Sequence, residues 1–340
     1  MKIRIGLVGA GANTRLRHIP GLQAIEDIEI VCVANRTRES AERVARDFGI
    51  PKVIEHWENL VLSRDIDAVV IGTWPNLHCA VTLAALDAGK HVLCEARMAR
   101  NAKEAHAMWQ AAHRHPKQIA QVVPAPFTLR VDRTVQRLIS EGFVGDLLTV
   151  EVRAGGAFLD RDAPLHWRQD SELSGLNMMT LGIWYESVLR WVGPATRVLA
   201  LGQVFVKQRR NAAGQLRDVR IPEHLDALAD LRRGGQLHLM ISSVAGLAGT
   251  PEAFVFGSDG TLRFCQDKLY GGRRGDKELR ELDPPRCEQV GWRAEEEFIN
   301  AIRGTEAVQR TTFEDGVRYM EFTEAVARSL ETGAAVKLPL

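Results

Sequence analysis

Short apolar runs rich in β-branched residues alternate with longer stretches of helical periodicity through the first third of the chain. The runs at 2–8, 28–34, 52–54, 68–71, 91–94 and 119–123 predict strands. Between them, helical patterns fall at 13–25, 38–48, 57–63, 78–88 and 102–115. Strands this apolar, separated by helices, predict a doubly wound parallel sheet covered on both faces, with its ligand site at the carboxyl ends of the strands. Pro20-Gly21 falls inside the first helix and predicts a kink there.

The pattern changes after the segment 122–127, where Pro124 and Pro126 mark the way out of the first domain. A helix over 129–140 follows, then strand-like runs at 147–154, 197–206, 227–231, 236–243 and 253–257 with turns between them. Strands in succession predict a largely antiparallel sheet, and helices at 292–302 and 313–330 close the chain. The fold class is therefore α/β. A Rossmann domain over 1–124 precedes an α+β domain over 125–340.

The first strand runs directly into Gly9-Ala10-Gly11-Ala12-Asn13-Thr14, which opens the first helix. The first glycine permits a tight turn and the second lets backbone approach a pyrophosphate. The helix start then supplies free amides and a positive dipole. Alone the pattern is weak; after a strand and inside a βαβ unit it predicts a nicotinamide dinucleotide, NAD(P). The third position, usually Gly or Ala, is Thr14. At the end of the second strand, where an acid usually bonds the adenosine ribose, stand Asn35-Arg36-Thr37-Arg38. Arg36 and Arg38 would welcome a 2′-phosphate, which favours NADP over NAD; solvated helix-start arginines are the plainer alternative.

Composition narrows the partners. A formal net charge of +1 over 340 residues argues against nucleic-acid and membrane partners, and leaves a small-molecule substrate. Arg209-Arg210 and Arg273-Arg274 sit in Gly-containing polar stretches and read as solvated loops. Five cysteines without C-x-x-C spacing fit reduced thiols in a cytoplasmic protein. His113 and His115 lack an acid at metal-ligand spacing, so no metal site is expected.

These residues bring the chain to a known family. It resembles the glucose–fructose oxidoreductase / inositol dehydrogenase / MocA family of NAD(P)-dependent oxidoreductases over nearly its full length. Gly9–Leu22 with His18, the run Thr73-Trp74-Pro75-Asn76-Leu77-His78, and Ala88-Gly89-Lys90-His91-Val92-Leu93-Cys94-Glu95 carry the resemblance. Trp167-Arg168 followed by Ser174-Gly175, and Leu189-Arg190-Trp191-Val192-Gly193, add to it. The resemblance implies a large open sheet in the second domain that makes homodimer or homotetramer contacts. It also implies a substrate cleft between the domains for a sugar, cyclitol or related polyol. It places Thr73, Trp74, His78 and Glu95 at the cofactor, beside Gly9, Gly11, Ala12, Asn13, Thr14, Asn35, Arg36 and Arg38.

The family's proton-handling residues are not here. Glu-Lys-Pro becomes Glu95-Ala96-Arg97, and Asp-x-Gly-x-His becomes Thr180-Leu181-Gly182-Ile183-Trp184, with Ser187 in place of a further acid. Hydride transfer at an alcohol or ketone needs a proton donor or acceptor, worth ~10²–10⁴ in rate. The residues left for such work are His166, Arg97 and Tyr185. Arg97 would act as an anion or carbonyl clamp and His166 as the titrating group; the plain readings are a salt bridge, a structural histidine and a core tyrosine. Three functions follow: an oxidoreductase with a divergent active site, a non-catalytic cofactor- or ligand-binding sensor, and a redox-neutral NAD-using lyase or glycosidase.

Overall fold

The structure, a computed structural model describing residues 2–340, divides into two compact units. The first comprises Met1–Pro124 and Arg293–Val317, the second Ala125–Trp292 and Arg318–Leu340. In the first, strands β1 (Ile3–Val8), β2 (Ile28–Ala34), β3 (Lys52–Val53), β4 (Ala68–Ile71), β5 (His91–Cys94) and β6 (Ala120–Val122) form one sheet. All pairs are parallel, in the order β3-β2-β1-β4-β5-β6, so the winding reverses between β1 and β4. That reversal opens the crevice in which such folds bind dinucleotides.

Helices α1 (Ile19–Gln23), α2 (Arg38–Phe48), α3 (Trp57–Val61), α4 (Pro75–Asp87) and α5 (Ala102–Arg114) connect the strands. The first differs from the expected kinked rod. Residues Thr14–His18 form a π-helical turn that leads into α1, with Pro20 in the first turn of α1. Proline has no N–H and its ring excludes the carbonyl four residues back; a wider turn before it removes that clash. α4 starts at Pro75 rather than His78, because proline fits the first helical turn, where an N–H has no intrahelical partner.

The second unit opens with α6 (Asp132–Ser140), β7 (Leu147–Ala154), the short helix α7 (Ser171–Ser174) and α8 (Leu181–Val192). There follow β8 (Ala195–Gln203), β9 (Gln208–Arg210), β10 (Leu216–Asp218), β11 (His224–Leu231), β12 (Gln236–Ser242), β13 (Glu252–Gly257), β14 (Gly260–Cys265), β15 (Lys268–Arg273) and β16 (Arg280–Leu282). The last elements of the chain are α9 (Ala294–Arg303), which belongs with the first unit, α10 (Phe313–Thr332) and β17 (Val336–Lys337). Nine strands make one sheet in the order β16-β15-β14-β13-β7-β12-β11-β8-β17. β12 and β7 pair parallel and the other pairs are antiparallel.

Burial alternates along β7, β11 and β12, as expected for a sheet with one covered and one open face. On the covered side Tyr185 of α8 stacks on Phe322 of α10, and Ser329 Oγ accepts the Ala200 N–H at 2.9 Å. The open side carries the exposed Leu199, Leu201 and Leu228. Arg209 is not the solvated residue its polar neighbourhood predicts. It is buried, with Nη2 donating to Glu223 Oε1 at 2.8 Å and Nη1 to the carbonyls of Asp160 and Ala163. A buried guanidinium needs such a partner, and the pair pins the 160–163 loop. Arg210 and Arg274 are exposed, and Arg273 lies 4.9 Å over the Phe143 ring.

Residues 293–317 belong with the first unit, which corrects the contiguous division 1–124 and 125–340. The Val122 N–H donates to the Thr311 carbonyl at 3.0 Å, and Gln121 bridges Thr312 beside β6. Glu297 of α9 accepts the N–H groups of Gln309 and Arg310, both at 2.9 Å. These are long-range backbone contacts that no periodicity announces. Among the described residues no helix is long and apolar enough to cross a membrane, and no three His, Cys, Asp or Glu are placed to hold a metal. All five cysteines are free thiols.

Candidate cofactor and active site

β1 runs into Gly9, whose φ of +83° lies in the region that only glycine enters at little cost. A Cβ on Gly9 would stand 2.6 Å from Thr73 Cγ2, and one on Gly11 would stand 3.3 Å from the Gly72 carbonyl oxygen. The turn therefore leans on the end of β4, with no room for a side chain at Gly9 and only a tight fit at Gly11. This close-packed cradle, with the helix opening at Ala12, fits a pyrophosphate that must approach bare backbone. Thr14 at the third position is explained by Gly72: a Cβ there would fall 2.1 Å from Thr14 Oγ1. The threonine occupies space that the opposite glycine leaves, and its hydroxyl is buried without a hydrogen-bond partner.

At the end of β2 the three sequence candidates separate. Asn35 Oδ1 accepts the Ala10 N–H at 2.7 Å and its Nδ2 donates to Ser40 Oγ at 3.1 Å, so the amide braces the glycine turn. Arg38 is paired along the surface of α2 with Glu42 at 2.8 Å. Arg36 is exposed, and its guanidinium lies 5.1 Å over the ring of Trp74, at the end of β4. The ends of β2 and β4 thus meet through a cation on an indole.

At the end of β5, Glu95 is almost fully committed. Its Oε1 accepts from Asn13 Nδ2 and lies 2.9 Å from His18 Nε2, and its Oε2 accepts the Ala96 N–H at 3.0 Å. His18 bonds Glu295 Oε1 through its other nitrogen. Burial pushes the Glu95 carboxyl up, but His18 and Asn13 outweigh it and bring the pKa down to about 2. His18 is likewise pulled down by burial, yet Glu295 and Glu95 raise it to about 9. The sequence offered His18 only as part of the family pattern, and nothing pointed to Glu295. The partner lies 277 positions away, and only the fold brings it in.

His78 is fully buried, with Nε2 3.0 Å from the Thr73 carbonyl and Nδ1 2.9 Å from the Arg97 carbonyl. Burial lowers its pKa. It ties the loop after β4 to the loop after β5, so it shapes the pocket through backbone. Arg97 itself is half-buried beside Ala96.

In the second unit Trp184 and Ser187, two of the positions where the family has its histidine and an acid, are buried. Trp184 is buried, with its ring centroid 5.3 Å from Phe127 and 6.2 Å from Phe264, and its indole N–H has no partner. Ser187 Oγ accepts from Thr128 Oγ1 at 3.0 Å, beside an Arg190 that pairs with Glu186 and Asp132. Tyr185 is corrected from a catalytic candidate to a core residue. Its ring centroid stacks 3.6 Å from that of Phe322, and its oxygen accepts the Ala195 N–H at 2.9 Å. Burial raises its pKa far from the working range. His166 is exposed; Nδ1 accepts the Arg168 N–H at 3.3 Å, capping the 3₁₀ turn Trp167–Gln169. Its pKa is lowered by partial burial and by Arg168.

Two family models cover most of the chain. Residues 3–122 match the oxidoreductase family with an NAD-binding Rossmann fold, and residues 133–263 match the GFO/IDH/MocA C-terminal domain. The chain is 29% identical over 280 residues to glucose-fructose oxidoreductase domain-containing protein 2 of Xenopus laevis, covering 81% of this chain and 71% of that one. It is 30% identical over 189 residues to trans-1,2-dihydrobenzene-1,2-diol dehydrogenase of Bos taurus, 54% of each chain. The solved levoglucosan dehydrogenase in complex with NADH and L-sorbose shares the fold at TM-score 0.87 and 21% identity, over 99% of both chains. The glycine cradle, the parallel sheet and the mixed nine-stranded sheet together agree with these matches: the chain belongs to the glucose–fructose oxidoreductase / inositol dehydrogenase / MocA family, oxidoreductases with an NAD-binding fold.

Proposed function

We propose that this protein is an NAD(P)-dependent oxidoreductase with a rebuilt active site, acting on a sugar, cyclitol or similar hydroxyl or carbonyl compound. The observation that carries the reading is the close-packed cradle of Gly9, Gly11 and Gly72, where a Cβ on Gly9 or Gly72 would clash with Thr73 or Thr14 and one on Gly11 would press on the Gly72 carbonyl. A bound nicotinamide supplies hydride transfer. The chain's own residues hold and orient it: Ala12, Asn13 and the helix start at the phosphates, Asn35 behind the turn, and Thr73, Trp74 and Glu95 along the strand ends. Arg36 is the group for a 2′-phosphate, because Arg38 is already paired and no carboxylate stands at the end of β2 for a ribose. NADP is therefore the favoured cofactor. Arg36→Ala is expected to weaken NADPH about tenfold or more and NADH little, read by fluorescence titration.

The proton at the reacting oxygen is the open problem of this site, since Ala96 and the buried Trp184 neither donate nor accept one. His166 is the titrating candidate: partial burial and Arg168 lower its pKa and favour the neutral ring, whose Nδ1 accepts the Arg168 N–H, so Nε2 carries the hydrogen and is the donor. Arg97 serves as a clamp for an anionic or carbonyl group. An anaerobic panel of polyols, sugars and sugar acids, followed by nicotinamide absorbance, tests the reading. Turnover abolished by His166→Ala supports it. Tight cofactor binding with no turnover on the panel supports a ligand-binding sensor instead, a reading favoured by the burial of the Trp184 and Ser187 positions. Copies of the chain are expected to pair through the open sheet face around Leu199, Leu201 and Leu228, and the free thiols suit a cytoplasmic setting. Light scattering of a Leu201→Asp variant tests the pairing.

A further inference from the structure

We infer that His18 is a positioning residue of the cofactor site: an imidazolium that holds the Glu95 carboxylate, and through it the Asn13 amide, at the nicotinamide end of the pocket. The inference rests on the dinucleotide reading above. β5 lies in the half of the sheet beyond the β1/β4 reversal, opposite the half whose β2 end faces the adenosine ribose, so Glu95 stands on the nicotinamide side.

The ring geometry carries the argument. His18 is fully buried at the end of the π turn, with Nε2 2.9 Å from Glu95 Oε1 and Nδ1 bonded to Glu295 Oε1. A carboxylate only accepts, so a ring between two carboxylates needs a proton on each nitrogen. A neutral ring would set a lone pair against a carboxylate oxygen away from water, which the low local dielectric makes costly. Among the groups that face the ring are Glu95 from the end of β5 and Glu295 from α9, with Asn13 Nδ2 from its own helix 3.4 Å from Nε2 and donating to Glu95. Burial works against the charge, and the two carboxylates overcome it.

Pro20-Gly21 acquires a meaning here beyond ending a turn. A Cβ on Gly21 would stand 3.1 Å from Glu295 Cδ, so the glycine leaves the gap through which α9 delivers its carboxylate. Asn13 sits one residue beyond Ala12, at the start of the helix, and its Nδ2 donates to the same Oε1 that His18 holds. Releasing that oxygen frees the Asn13 amide at the start of the helix.

The test uses the full chain with ring-¹⁵N histidine. Long-range imidazole spectra between about pH 6.5 and 8.5 are expected to show one histidine with both nitrogens protonated throughout, absent from His18→Gln. An unprotonated nitrogen on that ring at neutral pH would overturn the inference. Titration with NADH or NADPH is expected to show about tenfold or greater weakening in His18→Gln, and an unchanged affinity in a folded variant would also overturn it. Where His18→Gln fails to fold, Glu295→Gln decides. It keeps a hydrogen-bonding group but drops the charge, so its cofactor affinity is expected to fall as pH rises from about 7 to 8.5 while the native chain stays level; a level response sinks the idea. A native chain that binds neither cofactor would defeat the dinucleotide reading itself, whereas tight native binding insensitive to both variants would defeat only the role of His18.

Discussion

The glycine turn of the first unit and helix α8 of the second are both places where the family expects function, and they have diverged in opposite directions. In the turn, backbone would do the binding, and the constraints on it are steric: Gly9 at positive φ, Gly72 without room for a Cβ and Gly11 with a tight one. The one departure, Thr14, is absorbed by the glycine opposite. In α8, three side chains at and beside the positions where the family carries its chemistry are packed in the second unit. Trp184 fills a space between Phe127 and Phe264, Tyr185 lies on Phe322, and Ser187 bonds Thr128. A binding site made of backbone tolerates side-chain drift around it, while a catalytic site made of side chains is lost when the side chains change.

The comparison breaks most severely at Gly9. Gly9→Val combines a strained positive φ with a clash against Thr73, each costing ~1–3 kcal/mol. Cofactor binding is expected to vanish along with about 2–6 kcal/mol of stability, by titration and denaturant unfolding. In α8 the matching experiment is a pair. Trp184→Ala removes a fully buried indole and should cost ~3–5 kcal/mol. Trp184→Phe also removes the unpartnered N–H and should cost less than half as much. If Trp184→Ala were cheap but stopped turnover, the packing account of α8 would be wrong.

Acid and base unfolding separates the two units by charge. The folded pKa of His18 is raised from 6.5 to about 9, so its contribution is fully present below 6.5, declines above it and is gone once pH passes about 9. Glu95 is depressed from 4.5 to about 2, so its contribution is full above 4.5 and lost as pH falls to about 2. Thermal unfolding should therefore show the first unit most stable between about pH 4.5 and 6.5. Its midpoint should fall by several degrees toward pH 9, and the fall should be absent in His18→Gln.

What the sequence made legible follows the same division. Strands β1, β2, β4 and β5 are apolar runs with local signals at both ends, and the parallel sheet follows from their alternation with helices. Local patterns also gave the glycine turn. Three things escaped because their cause is distant in the chain. Glu295 reaches His18 only after α9 returns to the first unit, and Arg209 is buried only because Glu223 lies across from it. Tyr185 is one residue from the vacated histidine position, and sequence adjacency could not show that its oxygen already serves the Ala195 N–H. His166 was singled out for its titration range; its local duty as a helix cap is a matter of a side chain meeting the backbone two residues on.

Tyr185→Phe sharpens the point at lower energy. It keeps the stack on Phe322 and leaves the buried Ala195 N–H without its acceptor, at a cost of ~1–3 kcal/mol. Unfolding should register that cost. The pH dependence of any turnover should not change, because a core phenol takes no part in proton transfer; a shifted profile would return Tyr185 to the active site.

Arg38→Ala should give the smallest effect and the sharpest contrast within the first unit. Arg36 and Arg38 are two residues apart and alike in sequence, yet one lies on Trp74 and the other is paired along the surface of α2. An exposed pair at this spacing contributes little, so stability should barely move. If Arg36 alone meets a 2′-phosphate, the ratio of NADPH to NADH affinity should also stay within about twofold of the native chain, where Arg36→Ala shifts it by about tenfold or more. An Arg38→Ala ratio shifted as far as that of Arg36→Ala would mean that the Glu42 pair opens when the cofactor arrives. The selectivity of the β2 end would then belong to both arginines, as their spacing in the sequence implies.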